Sequence, residues 1–373
     1  MSDNKKLFII TGDYSGDKHA SNVVEILREK FPNLIIEAVG GINLEKTGVK
    51  LFSNQDKMNT MGLTPKSVLN HILIGKKIVD YLKNEFKPDL VLLIDYGAFN
   101  LQISKHLKKA GLKTFYYIPP QVWASRKWRL KTIKKNIDKV LTIFPFEEKF
   151  YREAGIKSSY VGHPLLNELP KPTTKEEFCA EFNLDPNKKL IGVFPGSRKF
   201  EIKFLFKIFE GAAKLIEKQL DDVQFVFSKS ENLPDDIYKT SYKTIKGNNY
   251  KLLSASDVLI LASGTVALEA ALYETPMIIA YKGPFLFYLI YLLVRTIKKA
   301  CLVNIITNKD IVPEFLMYDA TCKKISDEII LLLSNEKHYN KQKEGLIELK
   351  NLMLNEKTAD SAADEIIKEL KGG

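Results

Sequence analysis

Residues 257–281, DVLILASGTVALEAALYETPMIIAY, restrict the fold more than any other stretch of the chain. VLILA is five apolar residues without alternation, the pattern of a strand buried on both faces of a parallel sheet. It empties into Ser263, Gly264 and Thr265, small polar residues that cap a helix and let a ligand approach the backbone. A helix over 266–273 keeps Ala267, Ala270 and Ala271 small for packing, Thr-Pro stops it, and MIIAY is the next buried strand. The unit is therefore βαβ, with an opening at the strand's C-terminal end. Free N–H groups and the positive end of the helix dipole favour an anion there, such as a phosphate. Glu269, about one turn into the helix, is placed to accept hydrogen bonds from a ribose diol. The same residues also fit an ordinary βαβ unit with a capped helix and a solvated glutamate, and the stretch alone does not separate the two.

The alternation recurs along the chain. KLFIITG, NLIIEAVGG, VLLID, KTFYYIPP, KVLTIFP and SSYVG read as strands separated by helices up to about residue 161, one doubly wound unit. HPLLNELPKPTT, with three prolines, reads as a linker, and LIGVF and VQFVFSK open a second series. A length of 373 residues also suits two domains. The expectation is an α/β chain of two Rossmann-like domains facing across a cleft, over residues 1–165 and 166–345. Residues 346–373 would cross back onto the first domain as a C-terminal helix.

Several side chains then stand at strand ends, where open α/β sheets place their ligands. After the first strand come Gly12, Asp13, Gly16 and Asp17. This is not a G-x-G-x-x-G fingerprint, and two carboxylates would repel a bare pyrophosphate. The edge suits a sugar or an amine-bearing substrate, or else a helix start capped by acids. Asp95 ends VLLID and is the better candidate for chemistry. Pro195, Gly196, Ser197 and Arg198 follow LIGVF, with the arginine placed to fork onto phosphate oxygens. Asn304 reads as a binding-loop residue, with a helix opening at Pro313 and Glu314.

The net charge of +11 calls for a polyanionic partner: nucleic acid, an anionic lipid surface or a phosphorylated substrate. No nucleic-acid motif is present, although a basic patch, RKWRLKTIKKN, stands out. Cys179, Cys301 and Cys322 have no metal or disulfide spacing, which fits a reducing cytoplasm. The N-terminus reads as a first strand rather than a signal peptide, and no apolar run reaches the eighteen or so residues of a spanning helix. GPFLFYLIYLLVRTIKK is too short to span and reads as an interfacial helix. Phe285, Phe287, Leu292 and Leu293 would enter the acyl boundary, while Arg295, Lys298 and Lys299 meet anionic headgroups. Met58, Met61, Leu63 and residues 72–74 would supply apolar surface opposite. A buried core helix is the alternative for the same run.

In order, GDYSGD, LIDYGAFN, YIPPQVWASR, FPFEEKFY, YVGHP, FPGSR, ASDVLILASGTVALE and NIITNKDIVPE resemble the motifs of the bacterial lipid A disaccharide synthases, glycosyltransferases of the two-Rossmann (GT-B) type. The resemblance covers nearly the whole chain. It implies transfer of the acylated glucosamine of UDP-2,3-diacylglucosamine to the 6-hydroxyl of 2,3-diacylglucosamine 1-phosphate (lipid X), with release of UDP. It implies that Asp95 and Arg198 are the essential residues. It also implies substrate or UDP contacts from Ser15, Gly16, Asp17, Gln121, Gly196, Ser197, Ser263, Gly264, Thr265, Glu269, Asn304 and Glu314. The chain departs from the family pattern at Asp13, Ala20, Ala98, Ser125 and Asn308. No cofactor is implied, and with no D-x-D pair no metal is expected in the chemistry. The partners expected are the two lipid substrates and an anionic membrane at the cytoplasmic face of the inner membrane, not nucleic acid; a homodimer is left open. Other classes share the fold: a UDP-N-acetylhexosamine epimerase, a peptidoglycan-type transferase, or a non-catalytic membrane-associated UDP-sugar-binding protein.

Overall fold

The computed structural model describes residues 4–55, 65–284, 299–355 and 362–372. The chain divides into two units: residues 1–164 together with 355–373, and residues 165–354. Each is built on its own parallel sheet. The first holds β1 (Lys6–Ile10), β2 (Ile35–Gly40), β3 (Lys50–Asn54), β4 (Leu90–Ile94), β5 (Thr114–Tyr117), β6 (Lys139–Thr142) and β7 (Ser158–Tyr160) in the order 3-2-1-4-5-6-7. The second holds β8 (Lys189–Phe194), β9 (Val223–Lys229), β10 (Lys243–Lys246), β11 (Val258–Ala262), β12 (Met277–Tyr281) and β13 (Glu314–Leu316) in the order 10-9-8-11-12-13. Every strand pair is parallel. Both orders are doubly wound. The direction of winding reverses between β1 and β4 in one unit and between β8 and β11 in the other, and such a reversal opens a crevice at the strand C-termini.

The central strands earn their places by composition. β4 (LVLLI) and β11 (VLILA) are buried at every position, as strands covered by helices on both faces must be. In the first unit the covering helices are α1 (Tyr14–Lys30), α2 (Ile42–Lys46), α3 (Pro65–Tyr81), α4 (Gly97–Lys109), α5 (Arg129–Asn136) and α6 (Pro145–Glu153). The second unit carries α7 (Leu165–Glu168), α8 (Lys175–Phe182), α9 (Lys199–Glu217), α10 (Asn249–Ala255) and α11 (Val266–Leu272). Helices Leu302–Thr307, Cys322–Ser334 and Glu336–Asn355 follow. α9 shows the logic: Ile202, Leu205, Phe206, Phe209, Ala212, Ala213 and Ile216 recur at helical spacing and are all buried. Each large apolar side chain so buried stabilises the unit by roughly 1.5–3 kcal/mol.

The last described helix, Ala362–Leu370, belongs to the first unit and packs on α1. Ala362, Ala363, Ile366, Ile367 and Leu370 are buried. Its outer edge is tied by Lys30–Asp364 at 2.5 Å, Lys139–Glu365 at 2.5 Å and a Lys113–Glu369 pair.

Three strands escape a reading of the sequence: β3, β10 and β13. Each ends a ladder at the edge of its sheet, and each is mostly half-buried or exposed, with no run of buried positions. The helix expected from Pro313 and Glu314 is instead β13, whose Glu314 pairs with Ile279 of β12.

One buried acid organises the first unit's loop 118–128. Glu147, in the first turn of α6, is 1% exposed. It accepts the Trp123 Nε1–H at 2.7 Å and the Ile143 and Phe144 amides at 3.2 Å. Burial pushes its carboxyl up to about 7, and the three donors offset only part of that. The folded chain therefore holds a proton that the unfolded chain releases near 4.5. Stability should fall as pH rises from about 4.5 to about 7, by up to about 1.4 kcal/mol per pH unit, and level off above. Chemical denaturation across that range should show the slope in the native chain and lose it in Glu147→Gln; an unchanged slope would show that another group carries it.

Candidate active site and nucleotide site

The crevice of the first unit is built around Asp95. β4 ends at Ile94, and Asp95 and Tyr96 then take consecutive left-handed conformations, φ 47° and 46°. Side chains fix this turn. Asn100 Nδ2 donates to the Ile94 and Asp95 carbonyls at 3.1 and 2.8 Å, and the Tyr116 hydroxyl donates to the Asp95 carbonyl at 2.7 Å. The Tyr96 ring lies on the backbone of Gly12: a Cβ there would fall 2.1–2.5 Å from ring carbons, so only glycine fits. The Tyr96 hydroxyl meets His71 Nε2 of α3 at 3.0 Å.

The Asp95 carboxyl is half-buried. Burial raises its pKa and the Asp13 charge raises it further, while the Tyr96 amide and His19 oppose them. Asp13 caps α1, accepting from the Gly16 amide at 2.8 Å, and Ser15 Oγ lies 3.3 Å from His19 Nε2. Asp13, Ser15, His19 and Asp95 therefore gather where β1 and β4 end. Gln121 is exposed beyond β5.

Asp17 does not join them. It is fully buried, and its carboxylate takes the Gly41, Asn43 and Leu44 amides at 2.6, 2.8 and 3.3 Å. Its carboxylate caps α2 and has turned away from the crevice, against the expectation of a substrate contact. Gly16 is likewise buried and its amide is taken by Asp13.

In the second unit the turns after β8 and β11 stand side by side, since those strands pair directly. Gly196 has a φ of 121° that side chains rarely adopt, and Arg198 is exposed. The amides of Ser197 and Arg198 donate to Glu201 Oε2 at 2.9 and 3.2 Å, and Glu201 Oε1 lies 3.2 Å from Arg198 Nη1. Glu201 thus closes the turn on itself and aims the arginine. After β11 the amides of Gly264 and Thr265 have no partner among the described residues, and a Cβ at Gly264 would meet nothing within 4 Å. Glu269 is half-buried beside Tyr250 and Tyr273, and burial, reinforced by Tyr250 and Glu269, pushes the Tyr273 phenol up to about 12.

Asn304 is 1% exposed and already satisfied. It donates to the Val312 carbonyl and Glu314 Oε1 at 2.8 Å, and accepts from the Ile311 and Val312 amides at 2.8 and 2.9 Å. Glu314 also accepts the Ala300 and Cys301 amides at 2.8 and 3.2 Å. The expected binding-loop pair is thus a brace. It borders a cavity of about 760 Å³ lined also by Lys309, His338 and Gln342. Lys299 is paired with Asp310 at 2.9 Å. Phe285, Phe287, Leu292, Leu293, Arg295 and Lys298, with Met58, Met61 and Leu63, lie outside the described residues. On α3, Ile72 and Leu73 are exposed, at 62% and 49%, while Ile74 packs against the core. No described helix is long and apolar enough to cross a membrane, and no described group of three or more His, Cys, Asp or Glu is placed to hold a metal.

With this geometry in hand, comparison with known proteins is decisive. The family described as Lipid-A-disaccharide synthetase matches residues 7–369. The chain belongs to the lipid-A-disaccharide synthase family. Its activity class is that of the family, a glycosyltransferase of lipid A biosynthesis. A lipid-A-disaccharide synthase of Coxiella burnetii (strain Dugway 5J108-111) is 38% identical over 343 residues, 90% of each chain. Lipid-A-disaccharide synthase 1 of Legionella pneumophila (strain Lens) is 35% identical over 381 residues, 99% of each. Among solved structures, the UDP-GlcNAc 2-epimerase of Neisseria meningitidis bound to UDP-GlcNAc has a TM-score of 0.65 at 13% identity, covering 99% of this chain and 100% of that one. The kitacinnamycin glycotransferase has a TM-score of 0.66 at 11% identity, covering 98% and 99%. These two share the fold of two Rossmann-like domains, the GT-B class.

His71, Tyr96 and Tyr116 were not singled out by sequence, because their partners are distant along the chain, and His19 was missed although Ser15 lies one helical turn before it. Glu201 had a local signal: an acid three residues after the helix cap is a capping-box pattern. Asp13→Asn keeps an efficient helix cap but removes one cause of the raised Asp95 pKa. The Asp95 carboxyl, followed by carbon-13 NMR, should titrate at lower pH in this variant; no movement would mean burial alone sets it.

Proposed function

We propose that the chain transfers the acylated glucosamine of UDP-2,3-diacylglucosamine to the 6-hydroxyl of 2,3-diacylglucosamine 1-phosphate. The observation that carries the catalytic assignment is Asp95: a half-buried carboxyl with a raised pKa, held in a braced left-handed turn at the winding reversal of the sheet. Asp95 takes the proton of the acceptor hydroxyl as its oxygen forms the bond to the donor's anomeric carbon. The bond from that carbon to the β-phosphate oxygen breaks, UDP leaves with the electron pair, and the anomeric centre inverts. General-base catalysis of this kind contributes typically about 10²–10⁴-fold. A base of raised pKa is stronger than an ordinary aspartate, and activity should be lost as pH falls through that raised value.

The second unit is read as the nucleotide unit. Arg198, aimed by Glu201, and the amides of Gly264 and Thr265 meet the diphosphate, with Gly196, Ser197 and Ser263 letting it approach. Electrostatic stabilisation of the departing UDP is their role. Glu269 is placed for the ribose. The first unit takes the acceptor, with Ser15, His19 and Gln121 at the same edge as Asp95. Asn304 and Glu314 act by bracing the loop before β13. Purified protein given both lipid substrates should release UDP, and Asp95→Asn should lower turnover at least 100-fold while retaining affinity for UDP. Wild-type turnover in Asp95→Asn would remove the base.

Both substrates carry acyl chains, so the enzyme works at a lipid surface. Support comes from exposed Ile72 and Leu73 beside exposed Lys76 and Lys77 on α3, and from the +11 net charge. The reading is reversible association with anionic lipid at the cytoplasmic face of the inner membrane. Replacing Ile72 and Leu73 by serine should weaken co-sedimentation with phosphatidylglycerol vesicles and leave the melting temperature unchanged. Equal vesicle binding would discard α3 as a contact.

A further inference from the structure

The turn that starts α5 gathers cations and gives them no acid. Arg126 adopts a left-handed φ of 53°, and the Arg129 amide donates to the Arg126 carbonyl at 2.9 Å. Two guanidinium groups therefore leave one tight turn, Arg126 exposed and Arg129 half-buried. Burial lowers the Arg129 pKa, and the neighbouring Arg126 charge lowers it further. Among the described residues neither group meets a carboxylate, whereas Arg152 and Lys108 of the same unit pair with Glu148 and Asp138. A left-handed residue with a side chain costs roughly 1–2 kcal/mol, and two like charges held together by such a turn add repulsion. An arrangement of this kind is relieved by an anion.

Its position says which anion. α5 follows β5, whose Tyr117 is the register partner of Ile94, the residue before Asp95. The Tyr116 hydroxyl donates to the Asp95 carbonyl, and Tyr116 lies within electrostatic reach of Arg129. Arg129 thus stands at the same sheet edge as Asp95, one side chain from its turn, and Arg126 shares the turn that starts its helix. The donor's diphosphate is already provided for by Arg198 and the 264–265 amides, so these cations are surplus to it.

We propose that Arg126 and Arg129 bind the phosphomonoester of the acceptor lipid, while Asp95 engages its 6-hydroxyl. The proposal rests on the acceptor reading given above. The phosphate on C1 and the hydroxymethyl group on C5 flank the ring oxygen of one pyranose, so a single glucosamine presents both groups to neighbouring side chains at one sheet edge. Two planar guanidinium forks match the oxygens of a phosphate dianion and discriminate against a neutral sugar.

The test compares kcat/KM for the phosphorylated acceptor with that for 2,3-diacylglucosamine lacking the phosphate, in the wild type, Arg126→Gln, Arg129→Gln and the lysine variants. The ratio should fall about 10–100-fold with glutamine and recover in part with lysine, while the melting temperature and UDP affinity stay at wild-type values. An unchanged ratio overturns the proposal. So does an unchanged ratio with weaker binding to phosphatidylglycerol vesicles, which would assign the pair to membrane headgroups. Should the wild type release no UDP with either acceptor, the functional reading itself fails, a result distinct from an unchanged ratio.

Discussion

The candidate active site depends on keeping Asp95 and Tyr96 in consecutive left-handed conformations. Each such residue costs on the order of 1–3 kcal/mol and persists only where its surroundings over-determine it. The surroundings here are specific: Asn100 and Tyr116 hold the Asp95 carbonyl, and the bare backbone of Gly12 receives the Tyr96 ring. The turn lifts the carboxyl off the line of β4 and leaves it half-buried beside Asp13. Burial and the like charge of Asp13 raise the energy of the ionised carboxyl. A carboxylate in that condition is prepared to take a proton.

A second theme is that the protein supplies its own anions where a ligand might be expected. Asp17 occupies the start of α2, and Glu201 occupies the turn after β8. Helix N-termini attract negative charge whatever its source, so an internal carboxylate fixes the loop before any substrate arrives. In the second unit, what remains available at these turns is the exposed Arg198 side chain and the amides following β11.

Legibility in the sequence followed solvent exposure. Strands such as VLILA and LVLLI are buried on both sides and announce themselves by composition. β3, β10 and β13 lie at sheet edges, carry charged or polar residues, and are held by pairing with a neighbour, which no local pattern encodes. Asp95 drew attention as a candidate because a charged residue ending an apolar run is conspicuous. Asp17 and Asn304 were misread for the converse reason. A polar residue in a loop looks free until the amides of Gly41 or Ile311, supplied by another segment, are found on it. The pairing of His71 with Tyr96 was invisible for the same cause.

The helix Ala362–Leu370 gives the chain a temporal order. It completes the unit that residues 1–164 begin, with the whole of residues 165–354 made in between. At typical synthesis rates that interval lasts roughly 10–40 s. Through it, the face of α1 that later meets Ala363 and Ile366 is without its cover, and Lys30 and Lys139 lack their acids. The second unit, continuous in sequence, has what it needs to fold first. A nascent chain would therefore carry a finished second unit while its first unit is still incomplete, and it is the first that would engage chaperones.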